Sequence, residues 1–168
     1  MDKIDYIEYQ MVENKQKLKD FNYSIDYVIG LVEMGIQLLY RLKIDDLYIS
    51  HNRVNSNTRL RDLYDPLNII LDSRVRDISE LIKDNLSDEY LELMEFNNEE
   101  ACLFFIRTLF LTKYFDAFDS NLLGDRFANK KDLETIINGL EKYENYLKKI
   151  YKKLKNKYML PDVEWLQK

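Results

Sequence analysis

One cysteine and one histidine stand in 168 residues. That scarcity excludes a disulfide framework, Cys/His zinc sites, His-paired metal centres and any mechanism that needs two imidazoles. Glycine, at four, and proline, at two, are nearly as rare. Sandwiches and barrels, which need a turn roughly every ten residues, are therefore not expected. No apolar window reaches the roughly 18 residues of a membrane span, because the richest stretches are interrupted by Glu33 and by Arg107 and Lys113. The start, Met1-Asp2-Lys3-Ile4-Asp5, leads into an amphipathic run and not into a basic patch followed by an apolar stretch. A cytoplasmic location is the expectation.

What the chain does have is a core-forming composition: 46% of it is apolar, and 25 Leu face only three Ala. It reads as all-α, a single helical domain over 1–168, built as a bundle of about six to seven helices. Ile4, Ile7, Met11, Leu18 and Phe21 share one face of a first helix ending near Asn22. Ser24 is placed to cap a hydrophobic central helix over about 24–44, in which Gly30 and Gly35 are expected to admit a neighbouring backbone. The polar stretch from Asp45 to Thr58 reads as the main loop. A helical turn follows over Arg59–Tyr64, and Asp65-Pro66 opens the next helix with the stripe Leu67, Ile70, Leu71, Val75, Ile78, Leu81 and Ile82.

Ser87 starts a short helix carrying Leu91, Met94 and Phe96, and Asn97 with Glu100 spells a capping box for the second central helix, about 98–118. Cys102 sits in that helix as a small buried hydrophobe. After a turn at Gly124, Asn129 is placed to cap a long C-terminal helix over about 130–158, roughly 43 Å if unbroken. The tail residues Val163, Trp165 and Leu166 are expected to fold back on an apolar surface.

Net charge is −5, but its distribution is uneven: residues 87–129 carry −6 and residues 130–168 carry +4. Asp84 to Glu100 holds seven acids and no base, and Lys148 to Lys157 holds six Lys and no acid. Either the two runs pair with each other or face solvent, or one of them docks a partner. Leu133, Ile136, Leu140, Tyr143, Leu147, Ile150 and Leu154 fill a/d positions over three heptads. The alternatives are a homodimer through the C-terminal helix and a face packed within the chain, and the extra width given by Ile137 and Tyr151 favours the latter.

Three constellations carry functional readings. Arg53, Arg59 and Arg61, beside the lone His51, are candidates for phosphate binding in a nucleic-acid-binding module, though no aromatic residues are interleaved and Asp62 and Asp65 follow directly. Glu92 and Glu95, then Asp116 and Asp119, imitate the i, i+3 carboxylate pairs of magnesium-dependent helical enzymes. On one continuous helix over 98–118 these pairs lie far apart and could share a metal only between subunits. Finally, Asp88, Glu89, Glu92, Glu95, Glu99 and Glu100 form an acidic steering surface, with Tyr143, Tyr146, Lys149, Tyr151, Lys152 and Lys153 as a second partner contact.

The expected function is a non-enzymatic helical protein–protein interaction module that occupies a surface on a larger partner, with no cofactor, no metal and no membrane. The richness in Asn, Ile, Lys and Tyr, 59 residues together, matches AT-rich coding. On that association the expectation extends to a phage, viral or mobile-element inhibitor of a host nucleic-acid-processing defence factor. The alternatives are the nucleic-acid-binding module and a carboxylate-dependent metal enzyme assembled at an oligomer interface.

Overall fold

The computed structural model describes residues 3–43, 46–52, 54, 57–85, 89–123 and 130–167, with the backbone alone for 84, 85, 90 and 130–133. Ser87, Asp88, Gly124, Asn129, Arg53 and the side chain of Leu133 lie outside that description. The chain is predominantly helical: α1 (Lys3–Glu13), α2 (Ile25–Leu39), α3 (Leu60–Leu63), α4 (Val75–Asn85), α5 (Glu89–Leu93), α6 (Asn98–Thr108), α7 (Thr112–Leu123), α8 (Lys130–Asn138), α9 (Leu140–Lys157) and α10 (Glu164–Gln167). Two short strands, β1 (Tyr48–His51) and β2 (Ile69–Asp72), form an antiparallel sheet. Residues 1–34 and 110–142 make one compact unit, and 35–109 with 143–168 make a second.

The strands correct two expectations, since β1 falls in the stretch read as a loop and β2 in the first turn of a helix read from Pro66. The turn chemistry at Asp65-Pro66 is as expected, with Asp65 Oδ1 accepting from the Leu67 amide at 3.0 Å. The turn it opens, however, is a 3-10 turn over Pro66–Asn68 that delivers Ile69 in extended geometry. The spacing 67, 70, 71, 75, 78 fits a helix, but Ile69-Ile70-Leu71 also suits a strand, and pairing with Tyr48–His51 decides between them.

Both long helices are broken. In an uninterrupted 98–118 helix the Thr112 amide would bond to the Thr108 carbonyl. That carbonyl instead accepts the Tyr143 hydroxyl at 2.5 Å, the Thr112 amide turns to Phe110 O, and the chain restarts as α7. The Thr108 hydroxyl bonds back to Phe105 O at 2.6 Å, which loosens the same turn. The C-terminal helix is interrupted at Gly139, the residue of lowest helix propensity after proline, so α9 spans about 27 Å and not the longer rod. The first helix ends at Glu13 and not near Asn22, with a 3-10 turn at Lys19–Phe21. Gly30 is exposed with nothing near its would-be side chain, which overturns the expected close approach there.

In the first unit, Phe21 is buried edge-on against Tyr114 and Phe118, with ring centroids 5.3 and 5.2 Å apart. Each such side chain contributes roughly 1.5–3 kcal/mol by burial. Ser24 Oγ donates to Phe21 O and shares a 2.7 Å hydrogen bond with the Tyr114 hydroxyl. Burial pushes the Tyr114 phenol up to about 12, the Ser24 bond working the other way. In the second unit α4 packs on α6, whose residues from Ala101 to Ile106 are all buried. The capping box at Asn97 and Glu100 is present as spelled. Cys102 is buried and its thiol pushed up by desolvation. The tail folds back as expected: Val163 and Leu166 are buried, and the Tyr151 hydroxyl donates to Pro161 O and accepts from the Val163 amide.

Candidate interaction surface

The sheet is held down by a charged network in the second unit. Asp72, at the end of β2, accepts from Arg76 NH1 of α4 at 2.6 Å, from Arg107 NH2 of α6 at 2.6 Å on both oxygens, and from the Ser73 amide. Burial works against its ionised form, but the two guanidinium groups outweigh that and hold its pKa below the ordinary carboxylate value. Arg76 also donates to the His51 and Asn52 carbonyls, and Asp77 takes the His51 amide at 2.9 Å and lies 2.7 Å from the His51 Nδ1. The other imidazole nitrogen lies 3.3 Å from Leu63 O at the end of α3. Nearby, burial pushes the Lys83 ammonium down; Glu80, paired with it at 2.6 Å, opposes this, while Arg107 and Arg76 reinforce it. His51, read from sequence as part of a solvated loop, is thus a strand residue that joins β1 to α3 and α4.

This network sets which face of the sheet points inward. Ser50, 2% exposed, and Asp72 are turned into the unit, with Ser50 Oγ donating to Ser73 O. Side chains alternate along a strand, so their neighbours point out: Ile49 is 74% exposed and its cross-strand partner Leu71 is 68% exposed. Ile69 and Leu47 continue this apolar row, and Leu60, Tyr64 and Leu67 on the connecting segment are exposed as well. The usual alternation, apolar in and polar out, is inverted at Ile49-Ser50 and Leu71-Asp72, while Ile70, opposite Ser50, is half-buried on the inner face and His51 shares the outer one. Ile49, Ile69, Leu71 and Leu47 alone present on the order of 400 Å² of apolar surface, the scale at which patches mark interaction sites.

One end of this face is acidic. Arg74, two residues past β2, is ion-paired with Glu100 and donates to the Glu95 carbonyl at 2.8 Å, which fastens the α5–α6 connection beside the sheet. The guanidinium holds the Glu100 carboxyl below its ordinary value. Glu89, Glu92, Glu95 and Glu99 are exposed. The acidic run and the basic helix are not two separate poles, since Lys153 of α9 pairs with Glu92 at 3.1 Å and the Phe96 amide donates to the Tyr158 hydroxyl. Lys149 and Lys152 are exposed beside them.

Tyr143, Tyr146 and Tyr151 are a correction: all three are buried and serve the core, since the stripe they share with Leu147, Ile150 and Leu154 packs within the chain. The Tyr143–Leu154 part of the heptad stripe is thus packed within the chain. Arg59 and Arg61 are exposed, but Asp62 takes the Arg59 amide and lies 3.4 Å from Arg61 Nε. Asp116 and Asp119 lie on α7 in the first unit, where Asp119 pairs with Lys3 at 3.0 Å, and Glu92 and Glu95 belong to the second. The continuous helix expected over 98–118 is broken between α6 and α7. Among the described residues no group of three or more His, Cys, Asp or Glu is gathered as for a metal ion, and no helix is long and apolar enough to cross a membrane.

The sheet face was missed because its strands were read as loop and helix. The legible signals are Ile69-Ile70 after a proline-opened turn and the β-favouring pair Tyr48-Ile49 ahead of a polar Ser50-His51. Compared with known protein families, with curated proteins and with solved structures, the chain matches none.

Proposed function

We propose that this chain is a non-enzymatic protein–protein interaction module that engages its partner through the outer face of the β1–β2 sheet. The observation that carries this reading is the inverted alternation: Ile49 and Leu71 face solvent while Ser50 and Asp72 are held inside by hydrogen bonds and ion pairs. Keeping that row of apolar side chains in water costs free energy that a partner's surface would recover, at roughly 25 cal/mol per Å². The exposed carboxylates Glu95 and Glu99 beside the face supply steering toward a basic partner, whereas Glu92 is paired with Lys153. Glu100 serves another purpose, since its carboxylate is committed to Arg74.

The test is a quantitative crosslinking pull-down from the native host with wild type, an Ile49→Lys/Leu71→Lys variant, and Leu123→Lys as an exposed control in the other unit. Circular dichroism establishes that each remains folded. The wild type and the control should recover the same partner and the sheet variant should lose it; equal recovery by all three refutes the reading. Reversing Glu95 and Glu99 to Lys should slow association and flatten its salt dependence.

A further inference from the structure

We propose that the outer edge of β2 receives an extended segment of a partner protein as a third, antiparallel strand, one with alternating apolar residues and basic side chains at its N-terminal end. This rests on the reading of the sheet as the docking surface and specifies what docks there.

The ladder fixes which groups are free. The Asn52 amide bonds to Asn68 O at 2.7 Å, which puts 52/68 at a hydrogen-bonded position of the ladder, with the Asn68 amide turned to Asp65 O and the Asn52 carbonyl taken by Arg76. By alternation 50/70 and 48/72 are bonded pairs too, while residues 49, 51, 69 and 71 direct their amides and carbonyls away from the partner strand. On the β1 side α4 closes part of that edge, with Asp77 accepting the His51 amide and Arg76 donating to the His51 carbonyl. On the β2 side the Ile69 amide is used by the Pro66 carbonyl. The Leu71 amide, the Leu71 carbonyl and the Ile69 carbonyl have no hydrogen-bond partner among the described residues.

Those three groups form an acceptor, donor, acceptor row. An antiparallel strand meets it with three hydrogen bonds: one residue exchanges both bonds with Leu71, and the residue two further on donates to Ile69 O. The side chains of those two partner residues fall on the outer face, beside Leu71 and Ile69, so apolar side chains fit there. Charged side chains and prolines, which commonly guard such edges, do not occur among Ile49, Ile69 and Leu71. Charge then sets which end of the antiparallel segment is basic. Because β2 runs toward Arg74, an antiparallel segment begins at that end, where Arg74 is neutralised by Glu100 and the exposed Glu95 and Glu99 favour Lys or Arg.

The test titrates the full chain with synthetic peptides, read by amide shifts of the isotopically labelled protein and by fluorescence anisotropy. The probe is Lys-Arg-Lys-Val-Thr-Val-Thr-Val. Its partners are the same peptide with the basic triplet moved to the C-terminus, a form N-methylated at the two valines that face Leu71 and Ile69, and a scrambled control. The probe should bind with shifts centred on Leu71. N-methylation, which removes two donors, should weaken binding at least about tenfold. Moving the basic triplet should cost about three- to tenfold at low salt, a difference that disappears near molar salt and in a Glu95→Lys/Glu99→Lys variant.

Equal binding of the N-methylated form, indifference to the position of the triplet, or no binding by any peptide overturns the proposal. Concentration-dependent dimerisation that Leu71→Lys abolishes overturns it as well, by assigning the edge to a second copy. If the peptides fail while the Ile49→Lys/Leu71→Lys variant still loses its partner in the pull-down, the sheet face remains the docking surface and only the strand-addition mode is lost.

Discussion

Replacing Asp72 by Ala should expose how much the inverted sheet depends on one carboxylate. Asp72, Arg76 and Arg107 have side chains about one-fifth exposed (21%, 21% and 20%), so their ion pairs are screened far less than surface pairs. The substitution removes two charge-assisted contacts worth about 1.5–3 kcal/mol each. It also leaves two guanidinium groups in a mostly buried position, one of them with a buried Nε that already has no partner among the described residues. Breaking a buried pair this way costs about 3–5 kcal/mol. Allowing for the residual exposure, the expected loss is about 3 kcal/mol, or about 6–12 °C in Tm for a chain of this length. Asp72→Asn, which keeps one acceptor, should lose about half as much.

The assay is urea unfolding followed at 222 nm across a pH series. The folded-state pKa of Asp72 is depressed, so its contribution is fully present above the unfolded value of about 3.9 and is lost as pH falls through the lower folded value. The difference between wild type and D72A should therefore stay constant from about pH 5 to 8 and shrink below about pH 4. Amide exchange at Ser50 and Ile70 should quicken in the variant, because the sheet loses its tie to α4 and α6. A loss under about 1 kcal/mol, or one that persists unchanged in acid, would refute the role assigned to the network.

Three further predictions concern single residues. Gly30→Ala, on the exposed side of α2 with open space at its Cβ, should stabilise by about 0.5–1 kcal/mol in denaturant unfolding. Gly139→Ala should not, since its Cβ would lie 3.0 Å from the Thr135 carbonyl. Cys102, buried on α6 with its thiol pushed up by desolvation, should react with a disulfide reagent at least about a hundredfold more slowly than an ordinary free thiol until urea opens the fold. Fast stoichiometric labelling of the native chain would contradict that burial.

Periodicity and punctuation marked out most of the helical content, because these signals are local. Asn97 and Glu100 cap α6 wherever that helix packs, Asp65-Pro66 opens a turn in any context, and the 3/4 spacing from Tyr143 to Leu154 designates one buried face. Spacing does not assign the tyrosines, because an amphipathic side chain at a stripe position serves a core or a partner equally well until its hydroxyl is placed. Tyr143 found the Thr108 carbonyl, at the point where the helix through the apolar run from Ala101 ends.

The candidate surface lay beyond local reading for the same reason. Tyr48–His51 and Ile69–Asp72 are separated by a connection as long as many helices, and a strand has no internal hydrogen bonds that would announce it without its partner. Composition and spacing by themselves determined a helical chain with a leucine-rich interior, a capped α6 and a basic α9. Which face of the sheet turns outward was settled by Asp72 meeting Arg76 and Arg107. Only folding gathers those charges from β2, α4 and α6 on the inner face, which leaves Ile49 and Leu71 on the outer one.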